Sequence, residues 1–122
     1  MSIVYYRIAY DMDSESYEIS YNLGNAYFRI GEYKQSLKYY LHAASLNNLD
    51  HQVFNNIGTV YLKLGDISNA AEYFLKSLKL EPAFMEANIN FAKCVRMIFK
   101  VNDKFIPLSE DYNEEFLKGL KR

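Results

Sequence analysis

Apolar residues recur along most of this chain at intervals of three and four, the spacing that gathers them on one face of an α-helix. Between residues 17 and 30 they are Ile19, Leu23, Ala26, Tyr27 and Ile30; between 33 and 46 they are Tyr33, Leu37, Tyr40, Ala43 or Ala44, and Leu46. Gly31-Glu32 interrupts the two runs, and glycine tolerates the left-handed conformation that often closes a helix. The arrangement then recurs. Val53, Ile57, Val60, Tyr61 and Leu64 form one stripe, Gly65-Asp66 the break, and Ala70, Phe74, Ser77, Leu78 and Leu80 the next stripe. Glu81-Pro82 ends it, because the residue before proline is pushed out of helical conformation. Ala87, Phe91, Ala92, Val95 and Ile98 predict a further helix over 83–100.

The recurrence has a fixed interval. Gly24 and Gly58, Tyr27 and Tyr61, Gly31 and Gly65, and Tyr39 and Tyr73 are each 34 residues apart. An interval of this length marks a stacking unit that cannot bury its apolar face alone. Residues 17–50 and 51–84 are therefore two full repeats, and 85–100 is the first helix of a third. The start of the chain, Ile3-Val4-Tyr5-Tyr6, has strand-like composition, but stepping back 34 residues from Tyr40, Ala43 and Leu46 lands on Tyr6, Ala9 and Met12. A helix over 3–12 is expected instead, so that residues 1–16 match the second half of a repeat. In the third unit Phe99 replaces the turn glycine and Pro107 falls where a second helix would run. Ser109 caps an expected helix over 110–121, with Tyr112, Phe116, Leu117 and Leu120 on one side, and residues 101–122 are read as an atypical capping segment. A glycine inside a helix costs about 1 kcal/mol relative to alanine. Gly24 and Gly58 thus need a packing reason, and the small residues Ser36 and Ala70 are the expected contacts.

Composition adds exclusions. With 14 Lys+Arg against 15 Asp+Glu the formal net charge is −1, so no overall field draws the chain to nucleic acid or to an anionic membrane. No apolar run reaches membrane-spanning length and the N-terminus lacks the features of a secretion signal, which reads as a soluble, cytoplasmic chain with no membrane insertion. Cys94 is the sole cysteine, so no intrachain disulfide is expected. It lies within an apolar helical stripe with neither His42 nor His51 on the same helix, which predicts a buried, inert thiol. The three residues also lack metal-ligand spacing. No enzyme activity, metal or cofactor is expected.

Residues 17–50 and 51–84 resemble the tetratricopeptide repeat (TPR), a 34-residue helix-turn-helix unit. Leu23, Gly24, Tyr27, Gly31, Tyr40 and Ala43 carry the likeness in the first repeat, where Ser20, Ser36 and Asn48 depart from the usual Trp, Ala and Pro. Phe54, Ile57, Gly58, Tyr61, Gly65, Ala70, Phe74 and Pro82 carry it in the second, with Ser77 in place of Ala. The resemblance implies an all-α solenoid, antiparallel helix pairs stacked into a right-handed superhelix. The first helices of the pairs would line a concave groove that takes a peptide or helix of a partner protein, so the expected function is non-catalytic protein interaction.

On that geometry the expected groove residues are Tyr21, Asn22, Asn25, Phe28 and Arg29 from the first repeat, Asn55, Asn56, Thr59, Leu62 and Lys63 from the second, and Ile89, Asn90, Lys93 and Met97 from the third. Asn22, Asn56 and Asn90 are 34 apart in turn, and a ladder of amides, each both donor and acceptor, suits an extended peptide backbone. Some members of the family hold a partner's terminal carboxylate with two asparagines and three basic residues. Asn25 and Asn56 match, but Tyr21, Glu86 and Asn90 stand where the cations would be, so no high-affinity binding of acidic chaperone tails is expected. The alternative function is assembly: an unpaired N-terminal helix would expose Tyr5, Tyr6 and Ala9 for self-association, giving a homo-oligomer or continuing a longer array.

Overall fold

The computed structural model describes residues 3–99. They form six helices: α1 (Ile3–Met12), α2 (Tyr17–Arg29), α3 (Tyr33–Leu46), α4 (His51–Lys63), α5 (Ile67–Leu80) and α6 (Met85–Phe99). No strand occurs among the described residues, and the helix expected over 110–121 lies outside them.

Local chemistry sets the helix ends. Ser16 Oγ accepts from the Ile19 N–H at 3.3 Å, Asp50 Oδ1 from the Gln52 N–H at 2.9 Å, and Asp66 Oδ1 from the Asn69 N–H at 3.2 Å. Each satisfies an N–H that the first helical turn leaves without a partner. Gly31 and Gly65 take φ values of 81° and 82°, the left-handed cap expected of them. The carbonyls of Phe28 and Tyr27 then accept from the N–H groups of Gly31 and Glu32, both at 3.0 Å.

These tight turns fold α2 against α3 and α4 against α5, and the hairpins stack in chain order through α3 on α4 and α5 on α6, with α1 on α2. Two cores result. One joins Tyr40, Ala43 and Ala44 to Val53, Ile57 and Val60; the other joins Ala70, Ala71, Phe74, Leu75 and Leu78 to Ala87, Phe91, Cys94 and Val95. Ser20 is buried beside them with no hydrogen-bond partner for its hydroxyl among the described residues.

The helical glycines correct the small-on-small expectation. A methyl placed on Gly24 would lie 2.4 Å from the Tyr40 ring, and one on Gly58 2.6 Å from the Phe74 ring. An aromatic face, one turn beyond Ser36 or Ala70, thus occupies the space that each glycine leaves. Ser36 contributes differently, donating its hydroxyl to the Gly24 carbonyl at 2.7 Å.

Candidate functional site

The first helices of successive pairs, α2, α4 and α6, are tied side by side by polar side chains. The Tyr17 hydroxyl donates to Asp50 Oδ2, and the other oxygen of that carboxylate caps α4. Burial, then the bond to Asp50, pushes the Tyr17 phenol well above its ordinary pKa, which keeps it a donor. Asn56 Nδ2 donates to the Tyr21 hydroxyl at 2.9 Å, and Asn90 Nδ2 to Asn55 Oδ1 at 3.2 Å. Both bonds join residues 35 apart, so each asparagine grips the side chain one position before its own counterpart in the preceding repeat.

This offset changes the expected ladder. Asn56 and Asn90 each commit an amide N–H to the neighbouring helix. Asn22, the first of the three, makes no side-chain hydrogen bond among the described residues. Asn55 is 1% exposed and lies beneath the face it was expected to line. It is small enough to be enclosed between α4 and α6, its carbonyl groups taken up by Asn90 and by the Thr59 hydroxyl at 3.1 Å. The larger Tyr21 at the corresponding place stays half-buried, with Tyr17 and Tyr40 each 5.8 Å away between ring centroids. Thr59 and Leu62 are half-buried, while Arg29, Lys63, Ile89, Lys93 and Met97 are exposed.

Asn25, Phe28 and Arg29 come together with Tyr40 of α3 around an open pocket of about 250 Å³. The Tyr40 hydroxyl donates to Asn25 Oδ1, which turns the amide's NH2 away from the phenol. Burial raises the Tyr40 pKa strongly, aided by Tyr21 and only partly opposed by Arg29. The phenol therefore stays protonated and the amide orientation is held. Tyr40 was absent from the expected site because its aromatic position reads as core. The available signal was its hydroxyl, which Phe74 at the same place in the next repeat lacks.

The N-terminal helix departs from expectation in part. Tyr10 packs edge-on against Tyr39 at 5.2 Å and His42 at 5.8 Å, and Tyr6 and Ala9 are half-buried, because α1 lies on α2 and α3 rather than standing free. Its exposed apolar stripe is Val4, Tyr5, Ile8 and Met12, the last 84% exposed. Of the expected self-association residues only Tyr5 belongs to it.

The Cys94 thiol is buried, and burial pushes its pKa up to about 12, far from the thiolate that nucleophilic chemistry uses. His42 Nε2 is 2.7 Å from the Ser14 carbonyl oxygen, and His51 packs edge-on to Phe84 at 4.6 Å. Among the described residues no three His, Cys, Asp or Glu side chains converge on a metal position, and no helix is long and apolar enough to cross a membrane.

A family model for the tetratricopeptide repeat matches residues 15–81. Among solved structures, the first TPR of Spaghetti (RPAP3), bound to the HSP90 peptide SRMEEVD, is similar at a TM-score of 0.76 and 23% identity, with 80% of this chain and 77% of that one covered. MamA is similar at a TM-score of 0.67 and 24% identity, with 80% of this chain and 67% of that one covered. At such identities the likeness is one of fold. No curated protein matches the sequence.

Proposed function

The chain belongs to the tetratricopeptide repeat family, and from that premise we propose that it is a protein-interaction module that holds a peptide segment of a partner along α2, α4 and α6. The observation that carries this reading is the amide capacity left uncommitted on those helices. Asn22 has both donor and acceptor free, Asn25 keeps its NH2, and Asn56 keeps its carbonyl after giving one N–H to Tyr21. Amides present a backbone with the partners that another backbone would supply, without demanding a particular side chain. Phe28, Leu62, Ile89 and Met97 add apolar surface between them. The peptide seen on the RPAP3 repeat supports the reading as an example of the same fold in such a role.

Selection from a random decapeptide library, followed by titration of the recovered sequences, tests it. Asn22→Ala is expected to weaken binding about tenfold, the loss of one or two hydrogen bonds to the ligand, with the melting temperature unchanged. Unaltered affinity would remove Asn22 from the binding face.

One observation favours a second reading, self-association through α1. Val4 and Ile8 are exposed apolar residues where α3 carries Lys38 and His42 and α5 carries Glu72 and Lys76. A second copy of the chain would bury that stripe. Light scattering across a hundredfold range of concentration is expected to show a mass that rises and then plateaus, and Ile8→Lys is expected to abolish the rise. A concentration-independent monomer rejects this reading.

A further inference from the structure

The pocket at the end of α2 is one-sided in charge. Its lining is Asn25, Phe28, Arg29 and Tyr40, with no carboxylate among them. Arg29 is exposed and makes no ion pair among the described residues. Asn25 is held with its oxygen toward the Tyr40 hydroxyl, so the group it offers the pocket is the NH2. With the Tyr40 hydroxyl engaged by Asn25, the groups offered to a ligand here, the Asn25 NH2 and the Arg29 guanidinium, are both donors, and the second is a cation with a planar fork suited to a carboxylate. Phe28, half-buried and edge-on to Tyr33 at 5.4 Å, supplies an apolar wall.

We infer that this pocket takes the carboxylate side chain of a glutamate or aspartate in the bound peptide, Arg29 pairing with the carboxylate, the Asn25 NH2 donating to it, and its methylene stem lying on Phe28. The inference rests on the peptide-binding reading and deepens it by naming the recognised residue. A side chain fits the site better than a chain terminus, since a single cation beside an aromatic wall matches one charge on an apolar stem. Tyr40 acts as a positioning residue. Without its hydroxyl the Asn25 amide is free to turn its oxygen toward the incoming anion.

The test uses the full chain and a random decapeptide library with free C-termini. Recovered sequences are expected to be enriched in Asp and Glu at one position. Resynthesised peptides with that residue changed to Gln or Asn are expected to bind about tenfold more weakly, the loss of a charge-assisted contact. The same peptide change should have little effect on Arg29→Gln, whose exposed position leaves the fold intact, as a melting curve would verify. Tyr40→Phe keeps the ring against Gly24 and is expected to weaken the acidic peptide several-fold while sparing its amide counterpart. Recovery of binders without acidic enrichment, or a loss on C-terminal amidation with indifference to the Gln change, would overturn the inference and leave groove binding standing. Recovery of no binders would overturn both.

Discussion

Phe74→Ala is expected to cost the fold about 3–5 kcal/mol, the range for removing a buried aromatic ring. Phe74 is fully buried within the larger core, among Ala70, Leu78, Phe91 and Val95, and its ring also covers Gly58 of α4. One side chain therefore holds α5 to α4 and helps join that hairpin to α6. Domains of this kind have total stabilities of about 5–15 kcal/mol, so the variant should unfold at a much lower urea concentration. A shift of the midpoint worth less than about 1 kcal/mol would mean that the ring is not the keystone of that layer.

Gly58→Ala is the sharper case, because two physical effects oppose each other. Helix propensity alone favours alanine by about 1 kcal/mol. The added methyl, however, would sit 2.6, 2.7 and 2.9 Å from three ring carbons of Phe74, and relieving such overpacking in a filled core costs about 1–3 kcal/mol or more. Net destabilisation of roughly 1–2 kcal/mol is expected from the difference between those terms. The sign identifies the cause. In a Phe74→Leu background the same substitution should cost much less, since the narrower side chain can yield. Stabilisation by Gly58→Ala in the wild-type background would contradict the ring-on-glycine contact.

The two glycine classes show how far the sequence carried. Gly31 and Gly65 follow an apolar stripe and precede another, so their left-handed caps were legible from position alone, as were the helices on either side. Gly24 and Gly58 were legible as close approaches, but not in what approaches them. Which side chain lies over a glycine depends on how two helices cross, and a periodic pattern holds no crossing angle. The 34-residue interval likewise exposed Asn22, Asn56 and Asn90 as equivalents. It hid their bonding, because Asn56 reaches Tyr21 and Asn90 reaches Asn55, partners at an interval of 35. Asn55 failed as a surface residue for a related reason. Tyr21 and Asn55 occupy the same register, yet the smaller side chain is swallowed where the larger one protrudes. The pocket was half visible: Asn25, Phe28 and Arg29 share a helix face, whereas Tyr40 arrives from α3 through tertiary packing.

The inter-repeat bonds also bear on how the face would work in binding. Tyr17 to Asp50, Asn56 to Tyr21 and Asn90 to Asn55 fix α2, α4 and α6 relative to one another, and a face held in one geometry spends less of its contact energy on ordering when a ligand arrives. Asn56 and Asn90, which brace the stack, share their register with Asn22, which is proposed to meet a peptide. Asn22 differs from Asn56 and Asn90 in having no tyrosine hydroxyl or amide carbonyl from a preceding helix to grip.

Amide NMR shifts during titration with a library-selected peptide test the proposed binding face most directly. Binding along the inner face predicts perturbations concentrated on α2, α4 and α6, including the backbone and side-chain amides of Asn22, Asn25 and Asn56 and the backbone amides of Arg29 and Lys63. Lys38, Ser45 and Lys76 on the opposite side should stay unmoved. Saturable shifts confined to α1 or to the outer faces of α3 and α5, with Asn22 and Asn25 silent, would contradict it.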